Sequence, residues 1–469
     1  MPLFNGFLHA FILSYTKERG NAHSSPTYFL WSLKWESPAR NRMNICIIGA
    51  GYVGLTTAAV LAELGHEVHC IDHDERKIRL LNNGEVPFYE PGLEELIAKN
   101  DNYLTFSGRW DDIKRAAVVV ICVGTPPRPD GGTDLRYIEA VLDRLATTIK
   151  SYKTIVTKST VPPGTNEWMR AELIRKGVKP QLFRIVSNPE FLREGSAVYD
   201  MFHPDKIVVG LEPDDDQSLA VMQAVYAGIN APYLTTSLTG AELIKYAANA
   251  FLATKISFIN EMARICDAFA VDVNDIARGI GLDPRIGPHF LRAGLGYGGS
   301  CFPKDVKALE HAARSRQVEP HLLKAVQTIN ATQLDVCFQK LNEQLAPLTD
   351  KKIAVLGISF KPNTDDTRFS PAEALIRRLS ENGCTVAAYD PKATLSEPLT
   401  RVTQVQSVHE AIQGADGLVI ATDWDEFRTL DWGQVKAAMN GTLVFDGRNC
   451  LDRHAVEQSG LRYMGVGRP

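Results

Sequence analysis

The chain has 469 residues, so at about 100–200 residues per domain it should fold as two to four domains. Charged residues make up 23% and the hydrophobic set 45%, as in ordinary globular chains, and the formal net charge is −4. These values exclude a basic nucleic-acid binder held by phosphate contacts and a highly charged disordered chain. No apolar run approaches the ~18 residues of a membrane span.

Residues 1–42 read apart from the rest. Leu3–Tyr15 is apolar and aromatic, but it lacks the preceding basic residues of a secretory signal. The segment is read as a disordered extension, or as sequence ahead of a true start at Met43, with a short targeting or interaction segment as the alternative.

From Met43 the pattern becomes regular. Ile45–Ile48 reads as a buried strand, and Gly49-Ala50-Gly51-Tyr52-Val53-Gly54 follows. Leu55–Leu64 reads as a helix that Gly65 ends. Glu67–Ile71 is the next strand, with Asp72 at its end, 23 residues after Gly49. Strand, GxGxxG, helix, strand and acid in this order point to a dinucleotide. Gly49 makes the turn, Gly51 admits a pyrophosphate and Gly54 lets helix and strand pack. Asp72 favours NAD over NADP by accepting from a ribose, although Arg76 and Lys77 lie close. Further strands are expected at Ala116–Val123, Lys153–Thr157, Arg184–Ser187 and Ile207–Gly210, the last of this domain.

Leu238–Ala270 predicts one long helix, with Leu243, Ala247, Phe251, Thr254, Phe258 and Ile265 at helical spacing. Such a helix connects domains or packs on a second subunit. A second copy of the strand–turn–helix–strand pattern starts near Lys351, with Lys352–Leu356, Pro371–Ser380, Thr385–Tyr389 and Asp390. It lacks GxGxxG, so a different nucleotide-like ligand is expected there. The fold class is α/β, with two Rossmann-like doubly wound parallel-sheet domains, 43–237 and 346–469. A long central helix and a helical middle domain, 238–345, join them.

The eight cysteines lack CxxC spacing, so no disulfide framework or metal site is expected, and the compartment is read as reducing and cytoplasmic. Cys46, Cys70, Cys122, Cys266, Cys337, Cys384 and Cys450 read as packing residues. Cys301 differs. It lies in Gly298-Gly299-Ser300-Cys301-Phe302-Pro303-Lys304-Asp305, just before a helix start and near Lys304. Both features should lower its thiol pKa. A thiolate beside a nicotinamide can trap an aldehyde as a thiohemiacetal, lose a second hydride and form a thioester that water releases as an acid. Asp305, one turn on, is placed to activate that water or orient the thiol.

With these motifs, Lys158–Thr165, Asn188–Gly195, Gly357–Pro362 and Asp365–Phe369, the chain resembles the UDP-glucose 6-dehydrogenase family from Met43 to about Met464. The resemblance implies NAD-dependent four-electron oxidation of UDP-glucose to UDP-glucuronate. It implies Cys301 as nucleophile, and Lys245 and Asn249 as oxyanion and sugar-hydroxyl donors. Asp305 and Thr160 would hold the water, and Glu190 would transfer a proton. NAD would be held by Gly49, Gly51, Gly54, Asp72, Lys77, Thr125, Glu194 and Arg368. The sugar nucleotide would meet Phe290, Gly298, Lys361 and Arg448, and Arg285 would reach a neighbouring subunit's site. A homodimer or higher homo-oligomer is expected, with no nucleic-acid or membrane partner. The alternatives are the same chemistry on GDP-mannose or a UDP-N-acetylhexosamine, a two-electron hydroxy-acid dehydrogenase, and a non-catalytic NAD-binding module.

Overall fold

The computed structural model describes residues 42–469. The expectation for the N-terminal extension falls on residues outside that range.

The first sheet contains β1 (Asn44–Ile48), β2 (Glu67–Ile71), β3 (Leu104–Ser107), β4 (Val118–Ile121), β5 (Lys153–Thr157), β6 (Phe183–Ser187), β7 (Ile207–Leu211) and β8 (Tyr233–Ser237). Its order is β3-β2-β1-β4-β5-β6-β7-β8. The central strands are buried almost along their length because both faces are covered: β4 is wholly apolar, β1 is so after Asn44, and β5 buries Lys153, Thr154 and Thr157 as well. Its strands pair in parallel as expected, save that β7 meets β6 antiparallel at Ser187 and Gly210. One expectation needs correction. Ile207–Gly210 is not its last strand, because β8 pairs with β7. The Tyr-Leu-Thr-Thr-Ser sequence of β8 is a partly exposed edge with little apolar signal.

The second sheet contains β9 (Lys352–Leu356), β10 (Thr385–Tyr389), β11 (Val402–Gln404), β12 (Gly417–Ile420), β13 (Leu443–Asp446) and β14 (Arg462–Gly465). Its order, β11-β10-β9-β12-β13-β14, repeats the winding of the first six strands of the first sheet, and every pair is parallel. The internal repeat therefore spans six strands in each half.

Helix α1 (Tyr52–Glu63) leaves the β1 turn. Gly49 has φ +106°, and a Cβ there would meet the Cys122 carbonyl at 2.6 Å. A Cβ on Gly54 would lie 1.8 Å from the Gly49 carbonyl. These two glycines set how closely helix and strands approach. Gly51 has open space at its Cβ position, which leaves room for a ligand.

Between the sheets run α2 (Thr165–Arg175), α3 (Leu238–Phe269), α4 (Val273–Gly281), α5 (Phe302–Ser315) and α6 (His321–Leu345). Of these, α2 still belongs to the first sheet. Helix α3 has 32 residues and so runs about 48 Å at ~1.5 Å per residue. Ser237 caps it by accepting from the Gly240 N–H at 3.0 Å. Its buried face is rich in small or polar residues, with Ala241, Glu242, Lys245, Asn249, Ala253, Ser257, Asn260 and Ala263 beside the large Leu238, Tyr246 and Ile259. Small residues let α5 and α6 pack closely. The large apolar residues Leu243, Phe251, Phe258, Ile265 and Phe269 face outward, with Phe251 65% exposed.

Candidate active site

At the carboxyl ends of β1, β2 and β4 a cavity of about 630 Å³ opens. Gly49, Gly51, Asp72, Lys77, Cys122 and Gly124 line it, together with Trp110, Tyr137 and Arg144. Asp72 Oδ2 accepts from the Ala50 N–H at 2.7 Å and from Lys77 Nζ at 3.0 Å. Burial would raise the Asp72 pKa, but the N–H groups of Asp74 and Ala50 and the Lys77 ammonium outweigh it and hold the carboxylate below its ordinary value. Arg76 lies on the exposed surface. The donors and shape fit NAD: open backbone at Gly51, an ionised acid at the ribose position and aromatic walls for an adenine.

The second cluster lies where the first sheet, α3 and α5 meet. Lys245 Nζ and Glu190 Oε1 form a buried ion pair at 2.9 Å. The Leu192 N–H donates to Glu190 Oε2 at 2.6 Å. One turn along α3, Asn249 Nδ2 donates to Asp305 Oδ2 at 2.6 Å. Cys301 sits at the N-cap of α5, and the Asp305 N–H bonds back to its carbonyl at 2.9 Å. Ser300 Oγ donates to Glu194 Oε1 at 3.0 Å and lies 3.6 Å from Cys301 Sγ. Burial would lower the Lys245 pKa, but Glu190, then Cys301 and Asp305, hold it above its ordinary value. Burial would raise Glu190, but Lys245, the Leu192 N–H and Lys158 hold it low. Both members of the pair are therefore ionised.

The expected lowering of the Cys301 thiol is corrected here. Burial, then Glu190, push it up to about 11, with Asp305 and Glu194 adding to the rise and Lys245 opposing it. Lys304 does not help, because its Nζ pairs with Asp305 Oδ1 at 2.5 Å.

Thr125 Oγ1 donates to the Thr160 carbonyl at 2.8 Å, which ties the cleft to the β5 loop. The first turn of α2 is clamped by Glu242 on α3, which accepts from the Gly164 N–H at 2.5 Å and the Asn166 N–H at 2.7 Å. Arg368 pairs with Asp366 at 2.7 Å and lies 3.7 Å from Glu194. Lys361 is half-buried, and desolvation lowers its pKa although Glu194 and Glu90 oppose this. Arg448 Nη2 donates to the Phe360 carbonyl at 3.3 Å, and its Nε lies 3.6 Å from Asp423. Gly298 packs against the chain: its Cβ would lie 2.2 Å from the Phe369 carbonyl. Phe290 tilts on Phe302 with ring centroids 6.4 Å apart. Arg285 is exposed on the outer surface and pairs with Asp283, so within one chain it is not brought to this cluster.

Sequence reasoning missed several groups. Glu90 accepts from the Gly195 N–H at 2.6 Å and the Ala197 N–H at 2.7 Å, and also bonds the Tyr52 hydroxyl. It thereby fixes the turn after Glu194. Only the fourth position of GxGxxG, an unspecified one held by Tyr52, hinted at it. Trp110, Tyr137 and Arg144 carried no motif.

Two carboxyls are raised to about 7, Glu242 and Glu194, and Glu194 is the one beside the thiol through Ser300. Burial, then Asp366, raise its pKa from 4.5 to about 7, against Arg368 and Ser300. Its buried Oε2 has no donor among the described residues. A carboxyl raised in the folded state stabilises the fold fully below ~4.5, and that contribution is lost as pH rises through 7. Glu194→Gln should therefore raise Tm above wild type at pH 8 and change it little at pH 5. Equal melting temperatures at pH 8 would contradict this.

Three family models span most of the chain: the NAD binding domain of the UDP-glucose/GDP-mannose dehydrogenase family at 43–230, its central domain at 239–332 and its UDP binding domain at 354–453. The YtcA protein of Bacillus subtilis is 54% identical over 91% of this chain and 100% of its own. UDP-glucose 6-dehydrogenase YwqF of the same organism is 42% identical over 91% of this chain and 98% of its own. A UDP-glucose dehydrogenase structure from Pyrobaculum islandicum superposes with TM-score 0.84 at 37% identity, covering 92% of this chain and 99% of that one. The cleft lies within the part matched as an NAD binding domain, and the chain belongs to the UDP-glucose/GDP-mannose dehydrogenase family.

Proposed function

We infer that this chain is an NAD-dependent UDP-glucose 6-dehydrogenase that carries its substrate to UDP-glucuronate by way of a covalent bond to Cys301. One observation carries the reading: a thiol, a buried ammonium and two buried carboxylates converge beside the NAD cleft. A two-electron dehydrogenase needs no such thiol. The names of the YwqF and Pyrobaculum relatives support UDP-glucose over GDP-mannose or a UDP-N-acetylhexosamine.

Gly49, Gly51, Gly54, Asp72, Lys77 and Thr125 hold NAD, with Glu194 and Arg368 at its nicotinamide end. Bound NAD supplies the hydride acceptor for both oxidations. Phe290, Gly298, Lys361 and Arg448 hold the sugar nucleotide, and Lys361, which lies over the Phe360 ring and has no ion-pair partner among the described residues, suits a pyrophosphate. Cys301 attacks the C6 aldehyde. Because burial keeps its thiol protonated, proton loss accompanies attack rather than preceding it, with Glu190 as acceptor. Lys245 and Asn249 donate to the oxygen that becomes charged, worth about 3–4 kcal/mol per donor in comparable sites. Asp305 and Thr160 position the water that releases the acid. The division into 43–237, 238–345 and 346–469 follows the two sheets and the helices between them.

We further read the outward apolar stripe of α3 as the face on which a second copy packs, with Arg285 reaching the neighbouring site. An exposed stripe of Leu243, Phe251, Phe258 and Ile265 is costly to leave in water. Eight free thiols suit a reducing cytoplasm, and among the described residues no helix is long and apolar enough to cross a membrane.

Cys301→Ser should form UDP-glucuronate at least ~10³-fold more slowly while binding NAD as wild type does. Acid release near the wild-type rate would remove Cys301 from the mechanism. Phe251→Asp with Phe258→Asp should shift the particle to monomer mass in light scattering. An unchanged mass would place the interface elsewhere.

A further inference from the structure

One buried cation takes no part in the chemistry described so far. Lys158 follows β5, two residues before Thr160, and is buried. Its Nζ donates to Asn188 Oδ1 at 3.3 Å and the Tyr226 hydroxyl at 3.1 Å. The Tyr226 hydroxyl also donates to Asn188 Oδ1 at 2.6 Å, and Asn188 Nδ2 is anchored on the Val208 carbonyl at 2.8 Å. Among the described residues no carboxylate lies within salt-bridge distance of Lys158. A buried ammonium held only by neutral partners is costly, and its charge acts on the ionisable groups around it. Asn188, its anchor, lies two residues before Glu190 on the same loop.

We propose that Lys158 is a positioning residue: it is the fixed counter-charge that keeps Glu190 ionised when Lys245 turns to the reacting oxygen. In the free protein Lys245 neutralises Glu190 directly. Once that ammonium serves the substrate, Glu190 would be a buried carboxylate without a partner and would take up a proton. Lys158 cannot follow the substrate, because Asn188 and Tyr226 hold it. The titratable groups that bear on Glu190 are Lys245 from α3, Lys158 from the β5 loop, Cys122 from the end of β4 and Cys301 from the start of α5. Lys206, ahead of β7, lies over the neighbouring Phe191 ring at 4.4 Å. Of the cations among these, Lys158 alone is fixed by buried hydrogen bonds to neutral partners.

The proposal rests on Glu190 as the proton acceptor, and its test separates the two. The pH profile of kcat is recorded for wild type, Glu190→Gln, Lys158→Met, Asn188→Asp and Tyr226→Phe. Glu190→Gln should abolish the acid limb. Lys158→Met removes the charge and should move that limb upward by about one pH unit, a tenfold loss of rate below it. Asn188→Asp neutralises Lys158 without emptying the pocket and should move the limb the same way. Tyr226→Phe loosens the pocket but keeps the charge, so its limb should stay in place. If Glu190→Gln keeps the acid limb, the role of Glu190 fails and the proposal with it. If Glu190→Gln removes the limb but Lys158→Met and Asn188→Asp leave it unmoved, only the proposal is overturned. Should Lys158→Met not fold, Asn188→Asp decides alone.

Discussion

The buried ion pair between Lys245 and Glu190 is the constraint around which the molecule is arranged. Two charges taken out of water must meet closely and have their remaining donors and acceptors filled. Here the ammonium comes from the middle of a 32-residue helix and the carboxylate from the loop after β6. The pair forms only when the long helix docks on the first sheet in one register. Glu242, almost one turn earlier, enforces the same register by gripping Gly164 and Asn166 at the start of α2. Asn249, one turn later, takes hold of Asp305 and so of the segment carrying Cys301. One helix face thus fixes three active-site segments, and its polar character follows from that duty.

The two halves show how one winding serves different ends. In the first, Asp72 closes the turn through Ala50 yet still lines an open cavity. In the second, Asp390 occupies the equivalent strand end, but its Oδ2 accepts from Ile358, Ser359 and the Trp424 indole. That carboxylate is buried and spent inside the protein, so no ribose can reach it. Beyond it, Asp423 gathers Arg292, Arg428 and Arg448. A cationic rim in place of a dinucleotide cleft suits the phosphates of a sugar nucleotide.

Much of this was legible in the sequence because it rests on local signals. Buried parallel strands are short and rich in apolar residues, and β1, β2, β4, β5, β6, β9 and β10 were bounded to within two residues by that signal. The glycine spacing located the cleft, and the glycine-rich approach to α5 singled out Cys301 from eight thiols. What escaped depends on contacts distant in sequence. Tyr233–Ser237 is a strand because an edge was free, not because its residues prefer to be one. The thiol pKa was misjudged because helix start and Lys304 are near in sequence, while Glu190, 111 residues away, is near in space. Lys158 and Glu90 act through buried partners that no spacing rule reveals.

The central claim is that one protein performs two oxidations on one sugar through Cys301. Its most direct test is the count of NADH formed per UDP-glucose consumed, with enzyme far below substrate and NAD in excess. The account predicts two NADH per sugar, with UDP-glucuronate as the product. One NADH per sugar, with an aldehyde or ketone accumulating, would contradict it.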